Sequence, residues 1–400
     1  MKILQICNKP PFPAVDGGAI AMGSMVRGMV RNGYDITVLN MVSYKHQATE
    51  NDWPDELRKR VQLHFADVDL RLKPLSAFFN LFSSRSYHTE RFYSSEVAEK
   101  LISILESEKF DVIQMETVFP FVYHATIRQH SGVKIILRLH NIEHEVWQST
   151  ANAEKNPLKK WYLSLLAERL QKFEQEAFKK VDAIITISSA DLEKVKELKI
   201  TAPLTNIPLG IDLQQYPASF STANDSSVSL FHLGAMDWIP NQQGISWFLE
   251  TAWKELRKTY PQLYFYIAGR KMPEKFFEMQ DAQLHVESAV ESPFQFMQSK
   301  NIMVVPLLSG SGIRVKIIEG MALGKTVITT SLGAAGIDCM DGEHLLIANT
   351  PQEFVKKISD CVNDKLIVER IGQNARRLVE EKYSSAVTSN QFEDFLSLLR

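Results

Sequence analysis

The chain has 400 residues, and its 45 Lys plus Arg stand against 47 Asp plus Glu, a net charge of −2. That balance leaves no basic footprint for a nucleic acid, and none is expected as a partner. Three cysteines, Cys7, Cys339 and Cys361, are too few and too scattered for a disulfide framework or a zinc site. The length points to two domains, and 45% hydrophobic residues are enough for two cores. No apolar run is long enough to span a bilayer, and the opening MKILQICNKP reads as a first strand rather than a signal peptide. A cytoplasmic protein is the expectation.

Residues 2–7 form the first buried strand. Prolines 10, 11 and 13 then forbid a helix, and Gly17 and Gly18 open a helical stretch that ends near Gly33. Residues 35–40 are the second strand. Strand, glycine turn, helix and strand open a doubly wound α/β domain. Gly17 and Gly18 at a helix start make an anion-site candidate, although a tight turn that needs glycine is the simpler account from the residues alone. GxGxxG is absent after the first strand, which disfavours a dehydrogenase.

Residues 61–67 read as a third strand. In residues 71–93, Arg71, Lys73, Arg85 and Arg91 alternate with Phe78, Phe79, Phe82 and Tyr87. An acceptor-binding or membrane-surface face is one reading of this segment. A long connection with aromatics packed on the domain is the expected one, because no clean helical face is evident. A helix over 94–108 and a strand over 111–116 follow.

The strand at 134–141 ends in polar residues. Ligands in open α/β sheets sit beyond the carboxyl ends of strands, so Arg138, His140, Asn141 and Glu143 are placed for chemistry. Residues 158–180 have helical amphipathicity, with Trp161, Leu165, Leu166 and Phe173 expected on the inner side. A buried strand at 182–188 follows, and residues 217–227, rich in Ser, Ala and Asn, read as a linker.

The sheet pattern then restarts at residues 228–234, ending in Gly234. A helix over 244–260 and a strand over 263–269 come next. Arg270 and Lys271 at that strand's end either neutralise a diphosphate or are solvated loop charges. The strand at 301–307 feeds SGSGIRVKIIEGMALGKTVITT, residues 309–330. Gly310 and Gly312 allow close backbone approach, Ser311 is the expected helix cap, and free N–H groups at a helix start attract anions. Arg314 and Lys316 add two charges in the first turn or so. Glu319, three residues beyond Lys316, falls on the same face and suits a hydroxyl donor. A ribose diphosphate has that polarity. A surface Lys–Glu pair on an ordinary strand–loop–helix unit is the plain alternative.

This string, G-x-G-x-R-x-K-I-x-E and then A-x-G-K, resembles the nucleotide-sugar segment of family 4 retaining glycosyltransferases. Further likeness lies in PFPAVDGG from Pro11 to Gly18, in R-L-H-N-I-E around His140, and in the strand at 182–188. The resemblance implies the GT-B fold, two Rossmann-like doubly wound domains facing a cleft. The expected domains are residues 1–215 on the acceptor side and 216–382 for the nucleotide sugar, with a terminal helix, 383–400, crossing back to the first. Transfer is expected without a metal or cofactor, from a nucleotide diphosphate sugar to a glycan, lipid-linked or small-molecule acceptor. Polysaccharide biosynthesis is the implied setting, and peripheral contact with the inner membrane surface stays open.

The resemblance assigns His140 to the transferred sugar and Glu319 to the ribose. Gly17, Gly18, Gly234, Arg270, Gly310, Ser311, Gly312 and Ile313 would surround the donor, and Arg314 and Lys316 the leaving diphosphate. The family's common glutamate pair is half present, since Ser311 stands at the first position. An Arg and a Lys common after the first strand of the second domain are replaced by GAMDWIPNQQG. A nucleotide-sugar epimerase or phosphorylase on the same fold, and a nucleotide-sugar-binding protein with a decayed catalytic set, are the alternatives.

Overall fold

Two series of short aliphatic strands, separated by helices, build two parallel sheets. Strands such as KILQIC, VIQME, IMVV and TVIT are buried almost throughout, as strands covered by helices on both faces must be. The computed structural model describes residues 1–220, 228–310 and 312–399. Contacts divide it into Met1–Gly210 with Thr388–Arg400, and Ile211–Val387.

In the first unit the strands are β1 (Lys2–Cys7), β2 (Asp35–Val42), β3 (Val61–Asp67), β4 (Val112–Glu116), β5 (Lys134–Leu139), β6 (Ala183–Thr186) and β7 (Leu204–Asn206). They lie in the order β3-β2-β1-β4-β5-β6-β7, so the direction of winding reverses between β1 and β4. The register sets Cys7 beside Glu116 and Glu116 beside Arg138, all at carboxyl ends. Helix α1 (Gly17–Arg31) returns from β1, α2 (Pro74–Asn80) follows β3, α3 (Glu143–Ala153) follows β5, and α4 (Pro157–Lys180) precedes β6.

The second unit repeats the plan. Strands β8 (Ser229–Leu233), β9 (Tyr264–Ala268), β10 (Leu284–Glu287), β11 (Ile302–Val305), β12 (Thr326–Thr329) and β13 (Leu346–Ile347) take the order β10-β9-β8-β11-β12-β13. Helix α5 (Ile239–Glu250) follows β8, and α6 (Val315–Ala322) lies between β11 and β12. The final helix, α7 (Ser385–Leu398), starts at the end of this unit. Its Phe392, Phe395 and Leu396 belong to the core of the first unit with Met25, Val26 and Ile36. The division falls where Ile211 N–H donates to Tyr383 O at 2.6 Å and Ser385 N–H donates to Ile211 O at 2.9 Å. Most of the expected linker, residues 221–227, lies outside the described residues.

Three expectations are corrected. The helix over 244–260 is two helices, because Thr251 leaves helical geometry at φ −119°, ψ −90° and its hydroxyl donates to Trp247 O at 2.6 Å. Three of the four aromatics named after β3 do not pack on the domain: Phe78, Phe79 and Phe82 lie on or just beyond α2 and are exposed, whereas Tyr87 is buried. Trp161, expected inside, is 60% exposed because it sits in the first turns of α4, ahead of the buried stretch that begins at Leu166.

The second sheet is pinched where β8 and β9 end. A Cβ on Gly269 would lie 1.7 Å from Gly234 O. Gly269→Ala should therefore cost about 1–3 kcal/mol of stability, the range for overpacking. Urea denaturation of the variant and the parent reads this directly, and equal midpoints would contradict it.

Candidate functional site

The winding of the second sheet reverses between β8 and β11, which opens a crevice at their carboxyl ends. Gly234 lies on one side of it and the loop after β11 on the other. Gly310 and Gly312 have φ of +103° and +83°, backbone that side chains rarely adopt. A Cβ on Gly310 would also stand 2.9 Å from the Trp238 ring. Ile313 is half-buried, and its carbonyl accepts from Val315 N–H at 3.2 Å. Ser311 lies outside the described residues. The helix begins later than expected, at Val315, with Arg314 in the capping position and no side-chain cap.

Arg314 is buried, donates to Gly312 O, and lies over the Trp238 ring at 5.5 Å. Burial draws its guanidinium down to about 10. Lys316 Nζ donates to Asn241 Oδ1 at 2.8 Å and meets His232 Nε2 at 3.4 Å. His232 Nδ1 lies 2.8 Å from Val304 O, so it carries the ring proton and leaves Nε2 as an acceptor for Lys316. Burial first, and then the Lys316 charge, hold His232 well below the usual range and therefore neutral. Burial first, and then Arg314, pull Lys316 down to about 7. Its polar partners among the described residues are neutral. A Cβ on Gly234 would lie 2.9 Å from both Lys316 Nζ and Asn241 Nδ2, so a side chain there would push the amine aside.

Glu319 does not pair with Lys316. It accepts from the Tyr216 hydroxyl at 2.6 Å through Oε1, and burial raises its carboxyl above the ordinary value. The plain surface Lys–Glu pair is thus not formed. Arg314 and Lys316 form a cationic pocket beside Gly234 and the 310–312 loop, and Glu319 presents a carboxylate one turn along. Arg270 is exposed and 3.9 Å from Asp237, which also meets Lys271 at 3.2 Å.

At the corresponding ends of the first sheet, Glu116 is fully buried. Its Oε1 accepts from Gln114 Nε2 at 2.7 Å. Its Oε2 accepts from Arg138 Nη1 at 3.1 Å and His140 Nε2 at 2.6 Å. Burial alone would raise the Glu116 carboxyl, but the Arg138 charge and the His140 bond bring it below the ordinary value. Burial outweighs Glu116 at His140 and lowers its pKa, so the neutral ring carries its proton on Nε2 and Nδ1 remains its other polar atom. Gly17 and Gly18 begin α1, where Asp16 Oδ1 accepts from Ala19 N–H at 2.9 Å and from Lys9 Nζ at 2.6 Å. A carboxylate therefore already caps that helix. Burial and then Glu174 push Glu143 up to about 7.

Lys9, Glu116, Tyr216, His232 and Asn241 are members of these groups that sequence reasoning missed. Glu116 had the one available signal, a carboxylate closing an otherwise apolar strand. Among the described residues no three His, Cys, Asp or Glu side chains gather to hold a metal ion.

Residues 15–215 match the family described as Glycosyltransferase Family 4, and residues 227–364 match Glycosyl transferases group 1. An uncharacterised 44.6 kDa protein in the cps region of Klebsiella pneumoniae is 23% identical, over 96% of this chain and 97% of that protein. A capsular polysaccharide biosynthesis glycosyltransferase of Staphylococcus aureus is 32% identical over 26% of this chain and 28% of that protein. The solved structure of Anabaena HepE in complex with UDP-glucose superposes with a TM-score of 0.67 at 15% identity, covering 99% of each chain. The chain shares the GT-B fold of such structures.

Glu116 is the only carboxylate that Arg138 pairs with among the described residues. Glu116→Ala should strand a buried guanidinium and cost about 3–5 kcal/mol. Denaturant unfolding measures this, and a loss no larger than that of a surface substitution would contradict it.

Proposed function

The chain belongs to glycosyltransferase family 4, and on that premise we propose that it moves a sugar from a nucleotide diphosphate sugar to a glycan or lipid-linked acceptor. The carrying observation is Lys316, a cation held beside Gly234 and Arg314 whose partners among the described residues are neutral. A desolvated cation without a counter-ion is stabilised by an incoming anion. The diphosphate is that anion in this reading, and the UDP-glucose bound to the HepE neighbour supports it.

The ribose hydroxyls donate to Glu319, whose Oε1 is already oriented by Tyr216. As the bond from the sugar to the diphosphate breaks, negative charge gathers on the departing oxygen. Arg314, Lys316 and the backbone N–H groups near Gly310 and Gly312 stabilise that charge more than the ground state, which lowers the barrier. These groups supply the positive charge that a divalent metal would otherwise bring, so the transfer is metal-independent and needs no cofactor. Family membership supports retention of configuration, with the acceptor attacking from the leaving-group side. In the first unit His140 hydrogen-bonds the transferred sugar, its Nε2 proton being committed to Glu116. The relatives in capsular and cps settings support polysaccharide biosynthesis, in which the enzyme meets a lipid-linked acceptor by peripheral contact with a membrane.

The test is a panel of nucleotide sugars, chelator and candidate acceptors, read by release of free nucleotide diphosphate. Acceptor-dependent release in chelator is expected. Release that ignores the acceptor, or interconversion of the donor sugar alone, would overturn transfer. Glu319→Ala should weaken donor binding in calorimetry by about 1–3 kcal/mol, the range for hydrogen bonds to a charged group. Unchanged affinity would remove Glu319 from the donor site.

A further inference from the structure

An apolar stripe on the first unit faces outward. Leu75, Phe78, Phe79 and Phe82 follow the i, i+3, i+4, i+7 spacing of one helix face, which ordinarily turns to the core. Here they are 75%, 56%, 67% and 79% exposed. Among the described residues the rings that Phe78 meets are its own neighbours, Phe79 at 5.9 Å and Phe82 at 5.6 Å between centroids.

The opposite, polar side is the one fastened down. Asn80 is buried, donates to Glu90 Oε2 at 2.9 Å, and accepts from Arg169 Nη1 at 3.0 Å. Arg169 also donates to Asn80 O at 2.7 Å and Leu81 O at 3.0 Å. At the other end, Lys73 N–H donates to the Tyr87 hydroxyl at 3.0 Å. The helix is held by its polar side, so the outward stripe is a built orientation. A contiguous exposed apolar surface of this kind marks a binding face.

Its surroundings are cationic. Arg71, Lys73 and Arg85 flank the stripe, with Asp69 and Glu90 the carboxylates that pair with them. The first turn of α4 extends the surface: Leu158 and Trp161 are exposed among Lys155, Lys159 and Lys160, with Glu154 pairing Lys159. Arg169, two turns further along α4, is the residue that grips Asn80 and Leu81 at the end of α2, so the two helices are tied together. Aromatic and aliphatic groups within an excess of Lys and Arg suit a bilayer with anionic headgroups. A second copy of the same surface would set cations against cations, which disfavours self-association.

We propose that α2 and the start of α4 dock the chain on an anionic lipid surface, the Phe rings entering the boundary between headgroups and acyl chains. The proposal rests on the reading of a transferase that meets a lipid-linked acceptor at a membrane. No described helix is long and apolar enough to cross one, so this contact is peripheral.

The test is sedimentation of the full chain with phosphatidylcholine vesicles, with and without phosphatidylglycerol. Binding to the anionic vesicles, weakened by salt, is expected. Phe78→Ser/Phe79→Ser/Phe82→Ser should lower it by about tenfold or more. Lys159→Glu/Lys160→Glu, on an exposed helix start, should lower it too and serves should the triple variant misfold. Calorimetry with a nucleotide diphosphate sugar on the same samples reports the donor site separately. Normal donor binding with lost vesicle binding in the variants supports docking. Vesicle binding by a parent that binds no donor supports docking and sinks the proposed transfer. Absent parental binding, equal binding by the variants, or a dimer that the serines dissolve in place of vesicle binding overturns docking.

Discussion

The account hangs on an ammonium that has no counter-ion among the described residues. Lys316 is surrounded closely enough to lose much of its hydration, and its recorded partners, Asn241 and His232, are neutral. Arg314, close by, makes matters worse for the free protein by like-charge repulsion. Such an arrangement costs stability when empty and gains when an anion arrives. The loop geometry follows from this need: Gly234 leaves room for the Lys316 amine, and Gly310 and Gly312 take backbone angles that present a loop in place of side chains.

The first unit solves the opposite problem. At the ends of β4 and β5 the buried charges are matched: Glu116 answers Arg138, and its remaining acceptor capacity goes to Gln114 and His140. Glu174 likewise accepts from the amides of Glu143 and His144 at the start of α3. Matched charges hold side chains still, and His140 is therefore a positioned ring with one committed nitrogen. Glu143, raised to about 7 beside Glu174, is the group there whose charge changes near neutrality.

Much of this was legible in the sequence because parallel strands covered on both faces read as unbroken apolar runs. The glycines of the 310–312 loop and the helix carrying Lys316 and Glu319 were legible for the same local reason. What was not legible is partnership across the chain. Asn241 and His232 lie 75 and 84 residues from Lys316, and Tyr216 lies 103 from Glu319. Nothing local tells that Lys316 and Glu319, spaced to pair, choose other partners. The stripe at Leu75 to Phe82 shows a second limit: spacing reveals a helix face but not which way it turns. That direction was set by Asn80 and Arg169, 89 residues apart. The helix start at Val315 rather than Ser311 is a boundary of the kind that loop glycines blur.

Calorimetric titration with a nucleotide diphosphate sugar, repeated in buffers of different ionisation heat, tests the central claim most directly. The sugar-linked diphosphate has no phosphate proton titrating near neutrality, so protons exchanged report the protein. An anion beside Lys316 raises its pKa from about 7. The free amine is neutral above that pH and must then take up a proton on binding. Net proton uptake just above neutral pH, affinity that falls as pH rises, and loss of the uptake in Lys316→Met are the predicted results. Binding with no proton uptake, or with the same uptake in Lys316→Met, would contradict the account.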